Sequence, residues 1–226
     1  MTSAWVFKKI ALIVLSILMG LAFYYITSPS EKTVKKQQLE ESLSLIINFV
    51  LFIWVGKILL NINIFITDPL AVLAYPSDAN AFYVAVLFLL VNLVWKVNRN
   101  NFNIEIMLAP LMPIFLASAF SYEFIDIVLN GNPLSWGHLS LLFISLIVYL
   151  MRYEKMSAGK LAAGIFALWS VGQIILTTQL PFTVLYGYMM DLWFLALVFI
   201  ISVIFIIPHV TGSKTPTSNV RVNDEE

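Results

Sequence analysis

"FVLFIWVGKILLNINIF", residues 49–65, decides how this chain is read. It has seventeen residues and one charge, Lys57. A helix on the surface of a soluble domain carries a broad polar face, and this stretch has none. The apolar block around it runs over 43–66, long enough to cross a hydrocarbon core of roughly 30 Å. Similar blocks recur along the whole chain. Of 226 residues, 60% are hydrophobic and 12% charged, against about a quarter charged in soluble domains. The blocks lack the alternation of an outer-membrane barrel. The expected fold is therefore all-α, a polytopic transmembrane helical bundle.

Seven spans are expected, at 8–27, 43–66, 81–96, 104–122, 138–151, 160–177 and 188–208. They form one integral membrane domain over 1–210. The polar tail, 211–226, has no apolar periodicity and reads as disordered. The links between spans differ in character. "TSPSEKTVKKQQLEES" (27–42) is a charged loop, "SYEFIDIVLNGNPLSWG" (121–137) is acidic and aromatic, and "TTQLPFTVLYG" (177–187) carries no charge.

Lysine and arginine set the orientation. Ten of them, including Lys32, Lys35, Lys36, Lys96, Arg99 and Arg152, fall on one side of the seven-span arrangement. Only Lys8, Lys9 and Lys57 fall on the other. The basic side is expected to be cytoplasmic, placing the N-terminus outside and the C-terminus inside. Lys8 and Lys9 before an apolar run also resemble a signal peptide. No small-x-small cleavage site follows, so the segment is read as a retained span.

Five carboxylates, Asp68, Asp78, Glu123, Asp126 and Asp191, share the outer side with Tyr83, Tyr186, Trp136 and His138. Such a gathering can build a head-group site. It can equally be an ordinary interface with its aromatic belt. Lys57 has two readings as well. If its helix runs to Ile66, it lies roughly 14 Å below the outer end, where a lysine must pair and is functional by default; Asp191 and Glu123 are then candidate partners. If the span ends near Leu60, the ammonium simply reaches the interface. Pro110 and Pro113 in "APLMP" favour a kink in the fourth span. Gly159, Ala163 and Ala167 form a small-residue stripe suited to helix packing.

Neither a metal nor a cofactor is expected. The two histidines, His138 and His209, fall on opposite sides of the bilayer and cannot share one iron or zinc. The absence of cysteine removes disulfides, thiolate metal sites and thiol nucleophiles. Gly-rich phosphate loops, HExxH and GxSxG are absent too. A net charge of zero gives no bulk attraction for nucleic acid.

From Thr67 to Phe205 the layout resembles prolipoprotein diacylglyceryl transferases. These enzymes move a diacylglyceryl group from phosphatidylglycerol to a lipoprotein cysteine at the outer face of the bacterial plasma membrane. "TDPLAVLAYPSDANAFYVAVLF" (67–88) resembles the family's Asp-Pro opening and an aromatic pair, here Phe82 and Tyr83, atop a helix. "SWGHLSLL" (135–142) resembles its histidine-glycine helix start, and "SVGQ" (170–173) its Gly-Gln helix end. "LPFTVLYGYMMDLWFLALVF" (180–199) resembles the later Leu-Tyr segment. The histidine order is displaced, Gly187 stands where the family has glutamate, and no arginine remains on the outer side.

The resemblance implies a diverged, possibly inactive transferase with a lipid or lipoprotein site at the outer face. His138 and Tyr83 would be its catalytic residues. Lys57, Asp191, Tyr186 and Glu123 are the expected substrate-binding residues, with Lys57 as the head-group cation. Phospholipid head groups are the expected partners, with lipoproteins or other membrane proteins beside them. Two other classes stay open: a small transporter or substrate-capture subunit built around Lys57, Asp191 and the proline-bearing span, and a membrane scaffold without catalysis. With the histidine-glycine order reversed in Trp136-Gly137-His138 and the supporting arginine gone, His138 can also be an interfacial residue beside Trp136.

Overall fold

The structure is a computed structural model that describes residues 2–74, 78–100, 104–132, 135–181 and 183–211. Two long helices come first, α1 (Thr2–Thr27) and α2 (Lys32–Leu60). Two short ones follow, α3 (Ile62–Thr67) and α4 (Pro69–Ala74). Then come α5 (Ala79–Asn100), α6 (Ile104–Asn130), α7 (Ser135–Arg152) and α8 (Ala158–Leu176). A hairpin of β1 (Thr183–Leu185) and β2 (Tyr188–Met190) leads into α9 (Leu192–Thr211). Six of the helices described are long and apolar enough to cross a membrane, and α9 adds a shorter apolar stretch, Leu192–Ile207.

Local chemistry explains the boundaries. The stretch expected as a charged loop at 27–42 is helical from Lys32 on. Beyond Pro29 it holds no glycine or proline, and Lys, Gln, Leu and Glu are good helix formers. At the far end α2 stops at Leu60, because Asn61 leaves helical geometry (φ −122°, ψ 34°). The Asn61 side-chain amide donates to the Lys57 carbonyl at 3.0 Å, beside the Asn61 backbone N–H that donates to the same oxygen at 3.2 Å. Asp68 caps α4, accepting the Ala71 N–H at 3.0 Å, with Pro69 at the first helical position, where its missing N–H costs nothing. Asp78 caps α5 the same way, through the Ala81 N–H at 3.0 Å.

The fourth span is longer than expected. α6 continues past Tyr122 to Asn130 and ends on Gly131, whose φ of 61° suits a glycine after a helix. The expected link at 121–137 is thus largely helix. Pro110 and Pro113 lie within α6 and are almost fully buried. The last span is corrected in the other direction: residues 188–190 form a strand, and the helix begins only at Leu192. This hairpin is the one departure from an all-helical bundle among the described residues. Thr211 still belongs to α9; Tyr75 and the tail from 212 onward lie outside the described residues.

α6 is the central helix, packing on α1, α7 and α8 and touching α2. α1 runs antiparallel to it and approaches closely at Gly20. A Cβ there would lie 2.5 Å from the Ile114 carbonyl oxygen and 2.8 Å from the Ser118 Cβ. α2 pairs with α5, and α8 with α9. Ala81, Leu116, Ile165 and Leu195 are buried at the centre. The small-residue stripe lies in packed surroundings, with Gly159 and Ala163 buried on α8.

Candidate functional site

Three groups of polar side chains gather towards the end of the bundle where α6 finishes and α7 starts. The first joins α5 to the start of α9. The Tyr83 hydroxyl accepts the Asp191 backbone N–H at 2.8 Å and lies 3.4 Å from the Met189 carbonyl oxygen. Its ring stacks on Phe194, with centroids 4.6 Å apart, and meets Trp193 edge-on. The Asp191 carboxylate accepts the Trp193 indole N–H at 3.3 Å, and its carbonyl accepts the Phe194 N–H at 3.1 Å. Two of the expected site residues are therefore neighbours, 108 positions apart in sequence.

Lys57 belongs to the last turn of α2, not to the middle of a longer helix. Three residues from the helix end is about 4.5 Å. There the cation also complements the negative end of the helix dipole. It is nonetheless only 7% exposed. The carboxylate whose charge acts on it is Asp78, at the cap of the neighbouring α5. Depth in the sequence had pointed to Asp191 or Glu123 for that role.

The second group is built by the hairpin. β1 and β2 pair Thr183 with Met190, Val184 with Met189 and Leu185 with Tyr188. Tyr186 and Gly187 form the two-residue turn, with φ of 51° and 80°. Positive φ at both positions gives a turn whose twist matches the strands. The Tyr186 hydroxyl bonds to Ser118 and donates to the Phe115 carbonyl at 3.3 Å, and its ring meets Tyr122 edge-on. Gly187 is packed so closely that a Cβ would come 2.6 Å from the Tyr122 hydroxyl. Tyr122 is eight residues short of the α6 end, so the turn sits about 12 Å along that helix. The hairpin ladder pairs the facing edges of the two strands, and the Tyr83 and Thr183 hydroxyls donate to the Met189 and Met190 carbonyls at 3.4 and 3.1 Å.

The third group links α6, α7 and α8. At the end of α6, Asp126 accepts from the amides of Asn130 at 2.6 Å and Asn132 at 3.2 Å and from the Ser135 hydroxyl at 3.3 Å. Lys8 closes the cluster from α1, donating to the Asn130 side-chain oxygen at 2.6 Å. Glu123, one turn deeper and 3% exposed, is also hydrogen-bonded to Ser135. The serine has one proton and so donates to a single carboxylate at a time. The second oxygen of Glu123, Oε2, is buried without a partner.

His138 lies one turn beyond Ser135 on the same face of α7 and is 1% exposed. Its Nδ1 is 3.1 Å from the Gln173 side-chain oxygen on α8. The reading as an interfacial bystander is corrected: Trp136 faces outward, while His138 points into the bundle. Its Nε2 is buried without a partner, as is the indole Nε1 of Trp169, one turn from Gln173 on α8.

The expected residues thus divide. Tyr83 and Asp191 touch each other, Lys57 answers to Asp78, Tyr186 reaches α6, and Glu123 and His138 belong to the α6–α7 group. Sequence reasoning missed Ser118, Tyr122 and Ser135 as partners. The available signal was their polarity inside or beside apolar spans. Gln173 could have been suspected on the same ground. Among the described residues no three His, Asp or Glu side chains come together in a way that could hold a metal. Comparison with protein-family models, curated proteins and solved structures gave no match.

Proposed function

We propose that the chain is a seven-span protein of a bacterial plasma membrane, N-terminus outside, C-terminus cytoplasmic. Its outward end holds a hydroxyl-bearing lipid or lipoprotein head group. The basic residues on the opposite side support this orientation. In it α9 is the seventh span, and the likeness to prolipoprotein diacylglyceryl transferases is one of layout.

One observation carries the reading. Glu123 Oε2, His138 Nε2 and Trp169 Nε1 are buried and unpartnered on three mutually packed helices. Buried polar atoms are nearly always hydrogen-bonded, and each exception calls for an explanation. A carboxyl, an imidazole nitrogen and an indole N–H together offer acceptors and a donor to an alcohol. Head-group hydroxyls would satisfy them.

Transfer chemistry is not part of the proposal. In this orientation the outer side lacks arginine, the group best suited to bidentate phosphate recognition. Lys57, buried at the end of α2, is under the influence of the Asp78 charge. His138 and Tyr83 lie in separate groups.

Native mass spectrometry of the purified protein tests the reading. Phosphatidylglycerol, with head-group hydroxyls, should be retained more than phosphatidic acid of equal chain length. His138→Ala and Glu123→Gln should each erase that preference. Equal retention of both lipids by the wild type would sink the site. Diacylglyceryl transfer to a lipoprotein-signal peptide would sink the non-catalytic assignment.

A further inference from the structure

A shallow apolar groove of about 420 Å³ lies between α2 and α5, lined by Phe52, Val55, Phe88, Val91, Asn92 and Trp95. Val55, Val91 and Trp95 are exposed along it. The two helices are antiparallel: Gly56 approaches Ala81 and Val84, and Phe52 meets Phe88 one turn further. The Trp95 end of the groove therefore faces the end of the bundle where α2 starts and α5 stops, opposite the groups described above.

That end is cationic. The Arg99 guanidinium lies over the Trp95 ring, its carbon 4.9 Å from the centroid. The exposed guanidinium, held over the ring by a cation–π contact, offers N–H donors to an oxyanion. Lys36 pairs with Glu40 at 3.8 Å; Arg99 is singled out because it sits on Trp95, which lines the groove. An apolar groove ending at a guanidinium has the two-part chemistry of an anionic phospholipid.

We propose that this groove seats an acyl chain of an anionic phospholipid whose phosphate is held by Arg99 on the Trp95 ring. The site rests on the helices crossing a membrane. It is independent of the outward head-group site, because it reads phosphate charge rather than hydroxyls and lies at the other end.

Native mass spectrometry of the detergent-solubilised protein with phosphatidic acid or phosphatidylcholine of equal chain length provides the test. Wild type should prefer phosphatidic acid roughly tenfold, the equivalent of about 1.4 kcal/mol. Arg99→Gln should abolish the preference while leaving the fold intact, since Arg99 is exposed. Val91→Trp, which fills the groove, should reduce retention of both lipids. His138→Ala should leave the preference untouched, separating this site from the outward one. No preference in the wild type, or an unchanged one in Arg99→Gln, overturns the proposal. So does a wild-type dimer that Val91→Trp converts to monomer, since a second copy would then cover the groove.

Discussion

Tyr83 fastens the start of the last helix to α5: its hydroxyl accepts the backbone N–H of Asp191 at 2.8 Å while its ring stacks on Phe194. The hydroxyl and the ring can be separated by mutation. Tyr83→Phe keeps the stacking and loses the bond. Interhelical hydrogen bonds in membrane bundles contribute about 0.6 kcal/mol on average and at most about 1.7. Tyr83→Phe should cost about that much in a denaturation experiment in detergent, and Tyr83→Ala clearly more. An equal loss in both variants would mean that the hydroxyl carries the whole interaction.

Gly187→Ala should be costly for two reasons that can be told apart. The residue's φ of 80° disfavours any side chain, by roughly 1–2 kcal/mol. The new methyl also meets the Tyr122 hydroxyl. Tyr122→Phe removes that obstacle, so the double variant should be less destabilised than the sum of the two singles. Thermal midpoints of the four proteins form the cycle. Strict additivity would show that backbone strain alone is responsible.

Gln173→Leu should leave His138 with both ring nitrogens unpartnered. A loss of about 1 kcal/mol is expected. His138→Leu combined with Gln173→Leu should restore part of it, because replacing both partners by apolar groups leaves nothing buried and unpaired. Chemical denaturation of the three variants measures the recovery. Full additivity would show that the two side chains do not act as a pair.

Two helix glycines should respond differently to alanine. At Gly20 the added methyl meets the Ile114 carbonyl on the neighbouring backbone. Relief requires α1 and α6 to part, at about 1–3 kcal/mol. At Gly172 it meets the side-chain end of Leu141, which can rotate away. Gly20→Ala should therefore lower the midpoint markedly and Gly172→Ala only slightly. The reverse order would contradict the close approach at Gly20.

Alkaline pH should destabilise the protein partly through Tyr153, between α7 and α8. Burial, then the charges at Glu154 and Tyr24, push its hydroxyl above the ordinary value of 10.0. The native state then keeps a proton that the unfolded chain releases first. Stability from this group is complete below pH 10 and falls as pH rises through the native value. Tyr153→Phe should flatten that decline. An unchanged slope of stability against pH would remove Tyr153 from the account.

Much of the helical architecture was legible because long apolar blocks have few alternatives. The exact stops were less so. Asn61 ends α2, yet asparagine inside an apolar block is a weak terminator, and Lys57 could be placed at two depths. The hairpin was hidden for a different reason. Its turn is Tyr-Gly, whereas Asn-Gly or Asp-Gly is the signal for two positive φ values in succession. "TVLYGYMMDLW" then runs into the helix with Asp191 as its one charged residue. Partnerships such as Tyr83 with Asp191 or His138 with Gln173 join distant positions, and no spacing rule connects them. His138 was noticed as one of two histidines, but its inward orientation follows from the packing of α7 on α8.

The contact of α1 with α6 imposes an order on biosynthesis. α1 barely touches α2 and packs instead on α6, whose last residue, Asn130, anchors Lys8. About a hundred residues must be translated after α1 before α6 is complete. At roughly 5–20 residues per second, the first helix waits on the order of 5–20 s for its partner. Throughout that interval Lys8 and the Gly20 notch lack the Asn130, Ile114 and Ser118 partners that α6 brings.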